Sequence, residues 1–267
     1  VCVLLASKLG HGVTPSALEL AVAAELVHSA TLLHDDVVDD APSRRGATTA
    51  RIVYGNAISI FAGDWLLVDS LRRVRRAAPP DVLELLLDVI DEMIVAESLQ
   101  LERRGRLAAT FDDWSLVAEG KTAALFRWAM YAGARAGGLD IERATALERF
   151  GRELGLAYQA VDDVLDLAGD AALTGKSLFA DLREGKGSLP VVFALRSEPT
   201  LATALVADSV DLPAVAARIT ALGALDEARA YATARTTAAI AALTPFEQSE
   251  AREAIADIAR GLTARVA

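Results

Sequence analysis

The sequence contains one cysteine, Cys2, so no internal disulfide can form and a reducing compartment is expected. Positive charge is scarce: 27 Lys and Arg face 37 Asp and Glu, a formal net charge of −10. Binding to a phosphate backbone needs a basic stripe, and its absence argues against nucleic acid as a partner. A small anionic substrate is still admissible, because a bound divalent cation reverses the local sign of the field. No apolar run reaches the ~18 residues of a membrane span and no signal-peptide pattern opens the chain, so a soluble, cytoplasmic protein without a membrane span is expected. Strand-like alternation of useful length and repeats at solenoid periods are also lacking. What is present is an apolar content of 53% in 267 residues, enough for a large core. The fold class expected is all-α, with residues 1–267 forming a single domain.

Period-3.6 patterning predicts helices over 16–41, 51–74, 81–104, 111–138 and 141–168, then alanine-rich helices near 191–206, 211–243 and 247–265. A polar loop punctuated by glycine covers 169–189. Ser16 is the predicted start of the first long helix and Pro42 its stop. The chain opens inside an apolar, helix-like run, and a further N-terminal segment is expected to precede Val1. Trp65, Trp114 and Trp128 read as packing residues, and Arg72, Arg73, Arg75 and Arg76 as a solvated basic turn.

The stretch on which the rest depends is Glu25–Gly46, ELVHSATLLHDDVVDDAPSRRG. Asp35 and Asp39 lie one turn apart on one side of the predicted helix, with Asp36 and Asp40 beside them. Like charges at that spacing cost an isolated helix about 0.2–0.5 kcal/mol per pair, which calls for a compensating cation. Hard oxygen ligands without a closed cage suit Mg²⁺ shared with a substrate phosphate. Arg44 and Arg45 fit the same chemistry, since guanidinium forks bind phosphate oxygens bidentately. A second set, Asp162, Asp163 and Asp166, repeats the DDxxD spacing inside an otherwise apolar helix. Aspartate avoids helix interiors without a reason, so two such sets read as a divalent-metal clamp across a helical bundle.

Together, LLHDDVVDDAPSRRG, the Gly120–Lys121–Thr122 triplet, YQAVDDVLDLAGD and the Gly175–Lys176 and Asp181–Lys186 segments resemble the trans-polyprenyl synthetase family of head-to-tail isoprenyl diphosphate synthases. The resemblance covers nearly the whole chain. It implies a bundle of long antiparallel helices around a central cavity, usually homodimeric, using isopentenyl diphosphate and an allylic diphosphate. It also implies three Mg²⁺ ions, two on Asp35 and Asp39 and one on Asp162, with Asp36, Asp163 and Asp166 in support. Arg44, Lys121 and Lys186 match positions that bind the allylic diphosphate, and Lys176 adds to the phosphate site. His28 and Arg45 match positions for isopentenyl diphosphate, and Thr122 and Gln159 resemble polar groups near the nascent cation. His34 reads as packing beside the aspartates.

Family members normally carry a Gly-Lys-x-Arg stretch shortly before the point where this sequence begins, and that stretch is expected upstream. Product length in the family depends on residues about one turn before the first Asp. Here these are Ala30 and Thr31, both small, so a product of geranylgeranyl length or longer is expected. A class I terpene cyclase would carry an Asn/Ser/Glu second metal site in place of Asp162–Asp166. A non-catalytic regulatory subunit of a heteromeric synthase would lack one or both acidic sets, and a purely structural helical protein would have no use for either.

Overall fold

A computed structural model describes residues 1–44, 46–103, 110–168, 179–205 and 210–266. Described residues are helical almost throughout, as expected; the exception is a two-residue-per-strand hairpin, β1 (Ser43–Arg44) against β2 (Ala47–Thr48), in which Ser43 pairs with Thr48. By internal contacts the chain divides into two compact units, Val1–Leu87 with Trp128–Glu148, and Asp88–Arg127 with Arg149–Ala267.

The first unit holds α1 (Cys2–Lys8), α2 (Pro15–Val38), the hairpin, α3 (Ala50–Tyr54) and α4 (Asn56–Ala77). Helix α2 starts one residue earlier than expected, because the Thr14 hydroxyl accepts from the Ala17 N–H and Pro15 occupies the first turn. The Ser16 hydroxyl instead donates to the Ala77 carbonyl at the end of α4. That bond, with Ser59 donating to the Leu33 carbonyl, sets α2 and α4 antiparallel. The packing is close because small residues face each other. Ala23 and Ala30 are buried on α2, and Ser59, Gly63 and Ser70 on α4. The single helix expected over 51–74 is two, parted at Gly55, whose φ of +88° favours glycine.

Helix α2 is long and apolar enough, by length and composition alone, to cross a membrane, contrary to the sequence expectation. Its buried Ala17, Leu20, Ala23, Val27 and Ala30 serve here as a core face. On α4, Trp65 is exposed and shares its outward face with Ile58, Phe61 and Val68, so the reading of it as a packing residue does not hold. Trp128 is fully buried and its indole N–H donates to the Val82 carbonyl.

Helices α5 (Pro80–Arg103), α7 (Ala124–Ala136) and α8 (Ile141–Ala168) contribute residues to both units. The second unit adds α6 (Phe111–Val117), α9 (Ala180–Arg183), α10 (Leu189–Ser197), α11 (Leu201–Leu205), α12 (Leu212–Ala221), α13 (Ala224–Ala242) and α14 (Glu250–Thr263). Between α6 and α7 the expected continuous helix widens into a π turn, Ala118–Ala123. Helix α8 approaches this turn through two glycines one turn apart. A Cβ on Gly155 would lie 2.4 Å from the Ala123 Cα, and one on Gly151 2.5 Å from the Phe126 carbonyl oxygen. Only a residue without a side chain lets the two backbones come that close.

Candidate active site

In the first unit, the acidic set occupies the C-terminal end of α2, with Asp35 and Asp36 in the last turn and Asp39 as the C-cap. No basic residue lies in that turn. Carboxylates there add to the negative pole of the helix, a double penalty that a cation would relieve. Two of the four are matched to arginines. The buried Asp36 accepts from Arg44 Nε at 2.7 Å, and Asp40, at a left-handed φ of +53°, pairs with Arg51. The Asp36 bond holds Arg44, on β1, next to the helix end. Asp35 and Asp39 are half-buried beside them. His34 turns away from the aspartates: its Nε2 lies 3.3 Å from both the Ile60 carbonyl and Asp64, and its ring fills the space a Cβ on Gly63 would need. His28 is exposed, and its carbonyl accepts from the Thr31 hydroxyl. Ala30 is 1% exposed, whereas Thr31 is half-buried.

In the second unit, the π turn places Lys121 and Thr122 against different neighbours. Lys121 Nζ reaches Glu97 Oε2 at 2.5 Å and Gln100 Oε1 at 2.8 Å, both on α5. The Thr122 hydroxyl donates to Gln159 Oε1 on α8 at 2.6 Å. One turn further along α8, Asp163 Oδ1 accepts from Gln159 Nε2 at 2.8 Å. Asp163 Oδ2 accepts from the Trp114 indole N–H and from the Leu189 N–H at the start of α10, each at 2.8 Å. Asp166 accepts from the backbone N–H of Ala180 at 3.0 Å and of Asp181 at 3.2 Å, tying α9 and its Lys186-bearing continuation to α8. Lys186 Nζ pairs with Glu184 at 2.6 Å. Asp162 is half-buried.

Burial pushes the Asp163 carboxyl up to about 7, with the charge of Asp181 adding to it. Burial likewise raises Asp181 to about 6, with Asp166 and Asp162 adding to it and Lys186 opposing. This is a knot of carboxyl groups short of positive charge.

Oxygen donors at a negative helix pole, and carboxyls raised by mutual repulsion, fit hard divalent cations in chemistry. Among the described residues no three such side chains converge on one point. That too agrees with Mg²⁺, which keeps several waters and takes one or two carboxylates together with substrate phosphate oxygens.

Of the residues singled out from sequence, the structure brings together Asp36 with Arg44, and Thr122, Gln159 and Asp163 with one another. Arg45 and Lys176 lie outside the described residues. Sequence reasoning missed Asp181 as a further carboxylate of the second set, and Trp114 as a hydrogen-bond donor to it. Asp181 carried a signal in its place within DLREGK, whereas nothing local marks Trp114.

A family model described as polyprenyl synthetase matches residues 1–216. A probable mitochondrial hexaprenyl pyrophosphate synthase from Neurospora crassa is 34% identical over 92% of this chain, which spans 57% of that protein's length. A geranylgeranyl diphosphate synthase from Mycobacterium tuberculosis is 36% identical over 84% of this chain and 67% of its own. Among solved structures, a polyprenyl synthase from Caulobacter crescentus complexed with calcium and isoprenyl diphosphate superposes with a TM-score of 0.91 at 33% identity, covering 100% of this chain and 84% of that one.

Proposed function

The chain belongs to the polyprenyl synthetase family, and from that premise we propose that it is a trans-isoprenyl diphosphate synthase, a prenyltransferase that extends an allylic diphosphate with isopentenyl diphosphate and releases pyrophosphate. The observation that carries the reading is the second acidic set, with Asp163 and Asp181 both raised and in need of a cation, inside a chain of this family. The calcium and isoprenyl diphosphate of the Caulobacter structure support the same chemistry.

The allylic C–O bond breaks to leave a carbocation, the double bond of isopentenyl diphosphate attacks it, and a proton is lost. Bound Mg²⁺ supplies neutralisation of the charge that develops on the leaving oxygens. Within the first unit Asp35 and Asp39 hold metal, while Asp36 fixes Arg44 for the allylic diphosphate. Within the second, Asp162 holds metal, and Asp166 anchors the backbone of α9, and with it Lys186, for the same diphosphate. Lys121, steadied by Glu97 and Gln100, adds a third cation there, and Lys176 a fourth. His28 and Arg45 take isopentenyl diphosphate. Thr122 and Gln159 face the growing cation. We place three Mg²⁺ ions at work and a homodimer as the active form.

Incubating the full chain with Mg²⁺, labelled isopentenyl diphosphate and dimethylallyl, geranyl or farnesyl diphosphate in parallel tests the reading. A ladder of prenyl diphosphates is expected. Starter consumed to hydrocarbons without uptake of label would make the chain a cyclase, and no consumption at all would make it a non-catalytic subunit.

We expect the product to be geranylgeranyl diphosphate or longer, on account of the small Ala30 and Thr31. Ala30→Phe should move the ladder to shorter products, because a ring there fills the space into which the chain grows. An unchanged ladder from a folded variant would put the floor of the cavity elsewhere.

A further inference from the structure

Resting on the proposed prenyltransferase, we infer that Trp114 is a positioning residue that sets the direction of a buried hydrogen-bond relay, so that Thr122 turns oxygen lone pairs, not its proton, toward the reacting centre. The relay runs Trp114 to Asp163 to Gln159 to Thr122 through bonds of 2.8, 2.8 and 2.6 Å. An indole can only donate, so the direction is fixed at that end. Trp114 Nε1–H and the Leu189 N–H both land on Oδ2 of Asp163, pinning the carboxyl and leaving Oδ1 as acceptor for Gln159. The Gln159 amide therefore points its NH₂ at Asp163 and its oxygen at Thr122. Thr122 must donate its one proton to that oxygen, and its lone pairs are left for a positive partner.

The indole is itself held. Trp114 is 5% exposed, 5.4 Å edge-on from Tyr231 and 5.9 Å from Phe111 between ring centroids, and Phe111 stacks on Phe193 at 6.1 Å. Without the indole N–H, Asp163 keeps a single tether on Oδ2, and the amide loses the fixed partner that decides between its two flipped states. The donor, more than the ring, is then what the site requires.

Trp114→Phe keeps an aromatic body in the cluster and removes the N–H. In steady-state kinetics it should lower kcat about ten- to a hundredfold, the usual effect of losing a hydrogen bond to a charged group, with KM for both diphosphates within about twofold. Trp114→Tyr restores a donor and should recover part of the loss. In a Gln159→Leu background Trp114→Phe should cost nothing further, since both act on the same relay. A packing role predicts otherwise: equal kcat per folded molecule for wild type and Trp114→Phe, and multiplicative effects in the double variant. Either result would overturn the inference. Nitrogen-15 spectra of the indoles separate this from failure of the enzymatic reading. The Trp114 resonance, assigned by its loss in Trp114→Phe, should move on Gln159→Leu whether or not the wild type turns over, and an unmoved resonance would sink the relay.

Discussion

Replacing Asp35 with alanine is expected to lower kcat about a thousandfold, the scale on which removal of one electrostatic stabiliser of a transition state acts. The fold should not suffer. Asp35 sits in the last turn of α2 beside Asp36 and the C-cap Asp39, with no basic residue in that turn. Each carboxylate at that pole costs about 0.3–1 kcal/mol against the helix dipole, so its removal is neutral or slightly stabilising. Loss of activity with an unchanged or raised Tm is the signature of a residue kept for a ligand. Chelation of divalent cations with EDTA should abolish turnover and its restoration with Mg²⁺ should recover it. An Asp35→Ala variant that turns over like wild type, or an enzyme active in EDTA, would remove this acidic set from the mechanism.

Gly155→Ala should destabilise the protein by about 1–3 kcal/mol and reduce activity at the same time. A methyl at this position meets the Ala123 Cα at 2.4 Å and its Cβ at 2.8 Å, closer than carbon atoms pack without displacement. Alanine in a helix gains about 1 kcal/mol over glycine in propensity, so a net loss means that the overlap outweighs the gain. The displacement is felt where it matters. Ala123 follows Thr122, and Gln159 follows Gly155 by one turn, so separating the helices stretches the 2.6 Å bond between Thr122 and Gln159. Thermal denaturation should show a lower Tm, and kinetics a lower kcat in the folded fraction at temperatures well below it. A Tm at or above that of wild type would mean that α8 can retreat without cost, and that the close approach is incidental.

How far the sequence discloses this molecule depends on the range over which each signal acts. Helix α8 is legible to its last residue because its apolar period and its flanks are local, and its range comes out as 141–168 in both readings. The start of α2 is off by one because Thr14 and Ser16 are both good caps, and only the Ala77 carbonyl, 61 residues away, claims the Ser16 hydroxyl. The widening at Gly120–Lys121–Thr122 leaves no mark on the helical period. Its cause is contact, with a Cβ on Gly120 set to meet Glu92 and Ala96 of α5 at 2.6 Å. At the site, spacing exposes the acidic residues but not their division of labour. Asp162 and Asp163 are neighbours of one type, yet Asp163 is buried with Trp114, Gln159 and Leu189 on its oxygens while Asp162 is half-buried. Burial of one of two adjacent aspartates is decided by the packing of α6 and α10, which no window on α8 contains.

The π turn has a consequence for moving this chemistry between proteins. A regular helix rotates by about 100° per residue, and a turn that holds one residue more shifts the phase of everything beyond it. Lys121 leaves the backbone toward Glu97 and Gln100, and its neighbour Thr122 toward Gln159, because of that local phase. Grafting the Gly-Lys-Thr letters onto a straight helix would transfer the alphabet without the phase, and the ammonium and the hydroxyl would no longer serve two different walls. Deleting a single residue between 118 and 123 would do the same damage here with every named side chain still present. The triplet is in that sense a property of angle as much as of composition.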